Sequence, residues 1–494
     1  MVTRRRALAV GVAAGSTALT GAGLLPLANA AHRAAPDAPD TATAGTPSAG
    51  AAPAAVAKFA VPMPVPPVLA PTYTVGRASV YHVTMKKVRK EILPGLPTDV
   101  LTYNGHFPGP TIRARRGGPV VIRQRNTLDM PTAVHLHGAA VHPVNDGHPM
   151  DTIAPGAERL YFYPNQQPHA PLWYHDHAHH MEAEHVYRGL SGSYLLTDDT
   201  ESALPLPGGQ YEVVIAVRDA RFDDTGGLVY AMGDRARNTL LANGAPYPYF
   251  RVAARKYRLR LLNSANVRSF DLRLADGGTF QQIGSDGGLL TAPYTTDRVF
   301  LSAGERADVV VDFSRYPVGS SVVLRNAVGP GTPEQTGEVL RFDIVRTAAD
   351  PSSVPARLRT LPDRPEPTAG RTVDLSMTED GSTPPAAYID GKVYDPGRVD
   401  AAVTHGAHEV WTVTNSNRVA AHNFHLHLVQ FRVLERGGRP PSPAESGLKD
   451  TVFLAPGETV RLQASFDTYR GEFPYHCHML DHSAMGMMAT MRIG

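Results

Sequence analysis

A short pattern recurs three times along this chain and limits what it can fold into. Ala154-Pro155-Gly156-Ala157-Glu158-Arg159-Leu160-Tyr161-Phe162, Ser302-Ala303-Gly304-Glu305-Arg306-Ala307-Asp308-Val309-Val310 and Ala455-Pro456-Gly457-Glu458-Thr459-Val460-Arg461-Leu462 each read as a glycine turn followed by a strand. The glycines stand 148 residues apart (156 to 304) and then 153 (304 to 457). A second echo precedes each turn: runs ending at Asn126, Asn263 and Asn415 read as strands that close on asparagine. Repetition at this spacing predicts three copies of one β-sandwich in series. The 494 residues suffice for about three domains of roughly 150 residues. With 45 Gly and 43 Pro, the chain has the turn content of an all-β protein.

The copies differ in their histidines. Ten of the 21 fall into four clusters: His135/His137, His175/His177, His422/His425/His427 and His476/His478/His482. In each His-x-His pair a spacing of two puts both rings on one strand face, about 6.5–7 Å apart along the strand. That spacing suits adjacent metals better than chelation of one. A lone His-x-His is weak evidence, but four such pairs around a single cysteine are not placed by chance. The middle copy has Ser264-Ala265-Asn266-Val267 where its neighbours carry histidine, so it reads as a metal-free spacer.

Cys477 is the only cysteine, which excludes an intrachain disulfide. His482 follows after four residues and Met487 after four more. One thiolate and two imidazoles with a weak axial thioether make a blue-copper site, to which Cys477, His482 and Met487 would contribute. Met485 and Met488 compete for the axial place, or all three pack the core. His476 and His478 flank the cysteine, so on an extended chain they point away from whatever Cys477 holds.

The start, Met1-Val2-Thr3-Arg4-Arg5-Arg6 followed by an apolar run to Ala28-Asn29-Ala30, reads as a secretory signal peptide over residues 1–30. Its adjacent arginines resemble a twin-arginine export signal, with an ordinary Sec signal as the alternative. Residues 31–70, rich in Ala and Pro, are expected to form a disordered linker. The sandwiches are then expected over 71–205, 206–350 and 351–494. No later stretch reaches about 18 apolar residues, so no integral membrane segment is expected in the mature chain. The net charge of +2 argues against nucleic acid as the main partner.

The motifs His135-Leu136-His137-Gly138, Trp173-Tyr174-His175-Asp176-His177, His422-x-x-His425-x-His427 and His476-Cys477-His478-x3-His482-x4-Met487 resemble the four copper motifs of the multicopper oxidases. The resemblance runs from about residue 73 to the C-terminus. It is nearest to the bilirubin oxidase, spore-coat laccase and phenoxazinone synthase group. It implies three cupredoxin-like Greek-key β-sandwiches and four copper ions. The type 1 copper would take His422, Cys477, His482 and Met487. The type 2 copper would take His135 and His425. One type 3 copper would take His137, His175 and His478, and the other His177, His427 and His476.

The implied activity is one-electron oxidation of a phenolic, aminophenolic or tetrapyrrole-type reductant, coupled to four-electron reduction of dioxygen to water. Electrons would enter by an exposed edge of His482 or His422 and pass from Cys477 to His476 and His478. Asp146, before Gly147, matches a family acid implicated in proton delivery; its other reading is a turn aspartate. Three positions depart from the family pattern. Ser483 stands where bacterial relatives have Glu, so the acid would come from elsewhere, with Asp481 nearby. Ala420 replaces a Trp of bilirubin oxidase, and Asn423 replaces a usual Pro. The methionines are scattered rather than clustered, which lowers the standing of the alternative, a cuprous or other metal oxidase acting on Cu(I). A non-catalytic cupredoxin scaffold is the third reading, disfavoured by the complete set of ligands. His179 and His180 are expected to support the ligands from behind or lie at the surface rather than bind metal, and His142, His148, His169 and His185 to be solvated or hydrogen-bonded structure, with the lining of a substrate approach as their other reading.

Overall fold

A computed structural model describes residues 56–382 and 385–494. The signal-type segment 1–30 and the first part of the Ala/Pro-rich stretch lie outside the described residues.

The two sequence echoes turn out to be hydrogen-bonded neighbours. In each copy the strand that closes on asparagine lies antiparallel to the strand that follows the glycine turn. The pairs are Val120–Asn126 with Glu158–Tyr163, Lys256–Asn263 with Arg306–Asp312, and His408–Asn415 with Thr459–Ser465. On its other side each asparagine strand pairs in parallel with the first long strand of its copy: Ala78–Leu93, Glu212–Ala220 or Ala369–Met377.

The asparagines do the same work three times. Each side-chain oxygen accepts from the backbone N–H two residues on, at Leu128, Ala265 and Asn417. Each side-chain nitrogen donates to backbone carbonyls, among them those of Ile153, Leu301 and Leu454. An asparagine that caps a strand end in this way satisfies buried backbone groups where the ladder stops. The turn glycines Gly156, Gly304 and Gly457 have φ of 78°, 85° and 71°, a region that side chains with a Cβ avoid.

Six sheets pack as three cupredoxin-like sandwiches. In the first, a five-stranded sheet faces a four-stranded sheet of Gly109–Arg115, Ser191–Thr197, Ala170–Asp176 and Val134–His137. The second combines seven and five strands, the third five and five. Alternation along the strands explains the layering. In His408–Asn415, Glu409, Trp411, Val413 and Asn415 are buried while the residues between them are half-buried. Each sandwich has its own core, centred on Tyr161 and Tyr194, on Phe270 and Phe313, and on Trp411 and Phe424.

The expectation of disorder through residue 70 is corrected for the described part of that stretch. Tyr249 N donates to Val61 O and Met63 N to Tyr249 O (2.9 and 2.7 Å), while Leu69 N and Thr111 N exchange bonds with Thr111 O and Pro67 O. Residues 59–69 thus run along two sheet edges, on Tyr249–Ala254 and Gly109–Arg115, and Met63 is buried. Proline lacks a backbone donor but can cover an edge, and an uncovered edge invites aggregation. Composition alone could not foresee this, because the partners are 40 to 190 residues away. Among the described residues no helix is long and apolar enough to cross a membrane.

Candidate metal centres

The four histidine-bearing segments come from facing sheets of the first and third sandwiches. Val134–His137 and Ala170–Asp176 are antiparallel, with His135 opposite His175. His422–Leu426 and Gly471–His476 are antiparallel, with His425 opposite His476. Rings from the two sandwiches stack on each other, His137 on His425 and His135 on His427, with centroids 3.8 and 3.9 Å apart. Within the pairs, centroids are separated by 5.7 Å (His135/His137), 5.8 Å (His175/His177) and 5.4 Å (His476/His478). All eight of these rings are buried.

Second partners decide which nitrogen of each ring is free. His427 Nδ1 donates to Asp146 Oδ2 (2.8 Å) and His476 Nδ1 to the Cys477 carbonyl (3.0 Å). Their Nε2 atoms, both without hydrogen, then face each other at 3.2 Å, and His177 Nε2 lies 3.2 Å from His476 Nε2. Neutral imidazole lone pairs repel at this distance unless a cation lies between them. The spacing is that of two ligands sharing one metal with metal–nitrogen bonds near about 2 Å. His137 is turned the other way: its Nε2 donates to Asp450 Oδ1 (2.8 Å), so Nδ1 faces His478 Nε2 at 3.1 Å. His175 Nε2 lies 3.4 Å from the same His478 atom, while its Nδ1 donates to the Asp176 carbonyl. His135 and His425 donate through Nδ1 to the carbonyls of Asp146 and Asp450. Their Nε2 atoms are buried without a partner. The structure thus brings His177, His427 and His476 together and sets His137 and His175 on His478, while His135 lies with His425 and His427 and also with His137 and His175.

The remaining group is separate. His422 Nδ1 and His482 Nδ1 are 3.1 Å apart, and Cys477 Sγ lies 3.9 and 3.7 Å from them. His422 Nε2 is bonded to Asn417 Oδ1 (2.8 Å), which leaves Nδ1 for a metal. Met487 is wholly buried in the same core, and its carbonyl accepts from Cys477 N. Burial pushes the Cys477 thiol up to about 12 and His422 and His482 down to about 2 and 4, with the neighbouring His482 adding to the fall at His422. The imidazoles are thereby kept neutral, while a thiolate needs a cation beside it. This donor set fits copper. His422 is 0% exposed and His482 9%, so both are buried and, of the two proposed edges, His482 alone keeps a trace of exposure.

Further residues, most of them given no role by the sequence, hold these groups. Asn423 Oδ1 accepts from Met479 N (3.0 Å) and lies 3.5 Å from Cys477 Sγ, while its amide nitrogen bonds the Ala303 carbonyl and Ser302 Oγ. Arg306 grips Asp450 at 2.7 and 2.5 Å. A Cβ on Gly304 would lie 2.7 Å from His478 Nδ1. The middle sandwich carries none of the ten clustered histidines, but it is no passive spacer. Asp146 is buried and bonded to His427, which goes beyond a turn aspartate. Asp481 is locked by Arg237 (2.8 Å), Asn266 and Gly233 N, so it is not a free acid. His169 and His185 are buried on Asp198 and Asp176 and are structural; His142 and His148 accept from nearby backbone N–H groups.

Three sandwiches, one thiolate-centred donor set and an adjoining histidine cage define a cupredoxin-type metalloprotein. Models of multicopper oxidase domains match residues 84–201, 173–326 and 364–494. The chain is 37% identical to a bilirubin oxidase of Albifimbria verrucaria, covering 87% of this chain and 80% of that one. It is 34% identical to a laccase of Bacillus subtilis (strain 168), covering 88% and 98%. The crystal structure of a laccase from Pediococcus acidilactici Pa5930 superimposes with a TM-score of 0.81 at 33% identity, covering 89% and 95%. The chain belongs to the multicopper oxidase family.

Proposed function

We propose that the chain is an exported, laccase-like oxidase that couples one-electron oxidation of small phenolic, aminophenolic or tetrapyrrole-type reductants to reduction of dioxygen to two waters. The observation that carries this reading is the run His476-Cys477-His478. Its thiol belongs to one donor group and its two imidazoles to two others. Four bound coppers would supply reversible one-electron redox chemistry at the Cys477 group and dioxygen reduction in the histidine cage.

The chain's own residues do the rest. His482 presents the accessible ring edge to a reductant. The covalent chain from Cys477 to its two neighbours joins that group to the cage. Carbonyls of Asp146, Asp176, Asp450 and Cys477 set ring tautomers, and Asp146 holds His427 from behind. Ala420 and the exposed Val419 leave the surface near His422 uncrowded, which favours a small, loosely bound reductant. Export by the twin-arginine route is part of the proposal, on the Arg4-Arg5 signal. Oxygen uptake by copper-loaded protein tests the reading, with bilirubin, 2,6-dimethoxyphenol, an o-aminophenol and Cu(I) compared. Uptake with the aromatic compounds supports it; uptake with Cu(I) alone would replace it by the metal-oxidase reading.

A further inference from the structure

Reduction of one dioxygen to two waters takes up four electrons and four protons, and one buried acid without a cation partner has no role so far. Glu182 opens the helix Glu182–Arg188, and its N–H donates to the Ala178 carbonyl, so it sits just past His177. Its side chain crosses to the third sandwich, where Ser483 Oγ donates to Oε1 (3.1 Å). Ser483 directly follows His482 on the helix Leu480–Ala484. The two helices meet through an apolar contact of Ala183 and Val186 with Leu480 and Ala484. Glu182 is 0% exposed, has no cation partner, and its Oε2 is unpartnered.

We propose that Glu182 is the proton-relay residue of this oxidase, passing protons from solvent toward the histidine cage with Ser483 as its hydrogen-bond partner. This rests on the oxidase reading above. As the acid, Glu182 releases one proton inward and becomes a carboxylate, which Ser483 Oγ–H continues to bond. The carboxylate then takes one proton back from solvent, and four such cycles match the four protons consumed per dioxygen.

Burial keeps the side chain in the form this needs, raising its pKa to about 8, with the negative charge of Asp176 adding to the effect. Tyr394 and Tyr230 are near enough to feel the charge of this carboxyl, and neither is a cation that would fix it as carboxylate. The solvent side is marked by further buried polar atoms without partners, Tyr394 Oη and His179 Nδ1, whose rings are 5.0 Å apart. His179 in turn stacks on the exposed His180. Buried polar atoms of this kind are ordinarily satisfied by ordered water. Asp481, the other acid near His482, is taken up by its contact with Arg237 and does not compete.

The test uses the copper-loaded full chain. Glu182→Gln should keep its copper content and blue absorption and leave the reductant KM unchanged. Its oxygen-limited kcat should fall at least roughly tenfold, with an enlarged solvent deuterium isotope effect and an altered pH profile. The exchanged pair Glu182→Ser with Ser483→Glu, which puts the carboxyl on the other side of the same hydrogen bond, should recover most of the rate. Infrared spectra of copper-free protein add a readout independent of turnover. A protonated-carboxyl band should persist at neutral pH, shift in deuterium oxide and vanish in Glu182→Gln. A fully loaded Glu182→Gln with unchanged rate, isotope effect and pH profile overturns the relay, as does a wild-type chain lacking that band. If the wild-type chain consumes no oxygen with any reductant, the oxidase reading itself falls, and the relay with it.

Discussion

Arg306 and Asp450 form a buried ion pair that joins the middle sandwich to the third, and the pair ends on a metal-facing ring. Two Arg306 nitrogens reach the Asp450 carboxylate at 2.7 and 2.5 Å, and Asp450 Oδ1 accepts from His137 Nε2 at 2.8 Å. The carboxylate therefore dictates which nitrogen of His137 is free. Burial works against the charge on Asp450, and Arg306 works for it.

Breaking this pair should cost both stability and metal. Arg306→Met leaves an uncompensated buried carboxylate, a loss of about 3–5 kcal/mol in denaturant unfolding. Asp450→Asn frees the His137 ring and should weaken copper retention about 10–100-fold, measured by competition with a chelator. Retention equal to wild type would show that the ring is held by something else.

Asp146→Asn tests the second carboxylate behind the cage. The variant should keep its blue absorption, because the Cys477 group does not touch Asp146. Reoxidation by dioxygen should slow, since His427 loses a charged acceptor. Unchanged turnover at both acid and neutral pH would leave Asp146 with a purely structural role.

Gly304 should not tolerate a side chain. Its φ of 85° is unfavourable for alanine, and a Cβ there would meet His478 at 2.7 Å. Gly304→Ala should lose more than about 1 kcal/mol in unfolding free energy and bind less copper. Gly457→Ala is the control. It has a similar φ but nothing within 4 Å of the added Cβ, so it should lose stability without losing copper.

Acid stability should depend on Glu201, where the first and second sandwiches meet. Arg258 and Arg260 both bond Glu201 Oε1 at 2.5 Å; burial opposes ionisation, but the two arginines prevail and hold the pKa at about 2 against an ordinary 4.5. A carboxyl depressed by folding stabilises fully above its unfolded pKa. That contribution is lost as pH falls from about 4.5 toward 2, and is on the order of 3 kcal/mol. Glu201→Gln should be less stable than wild type at neutral pH, and the gap should close on acidification in urea melts taken from pH 7 to 2. A gap that stays constant over that range would contradict the assignment.

Much of this architecture was legible because its determinants are local. The glycine turns and closing asparagines marked three copies, and the paired histidines with Cys477 marked the metal-binding groups. What could not be read comes from pairings between distant segments. Arg306 and Gly304 lay inside a recognised repeat, yet nothing local says that one grips Asp450 and the other makes room for His478. Glu182 and Ser483 are 301 residues apart, and only the packing of two short helices joins them. The prolines of residues 59–69 looked like linker because composition does not report which sheet edges they cover. His482 and His422 looked equivalent as electron entries until the fold buried both and left a trace of exposure to His482 alone.

The most direct test of the central claim is a copper count on purified, copper-loaded protein, taken with its visible and paramagnetic resonance spectra. Four coppers per chain, with intense blue absorption that Cys477→Ser abolishes, is the predicted result. Fewer than four coppers, or no blue absorption from the fully loaded chain, would contradict it.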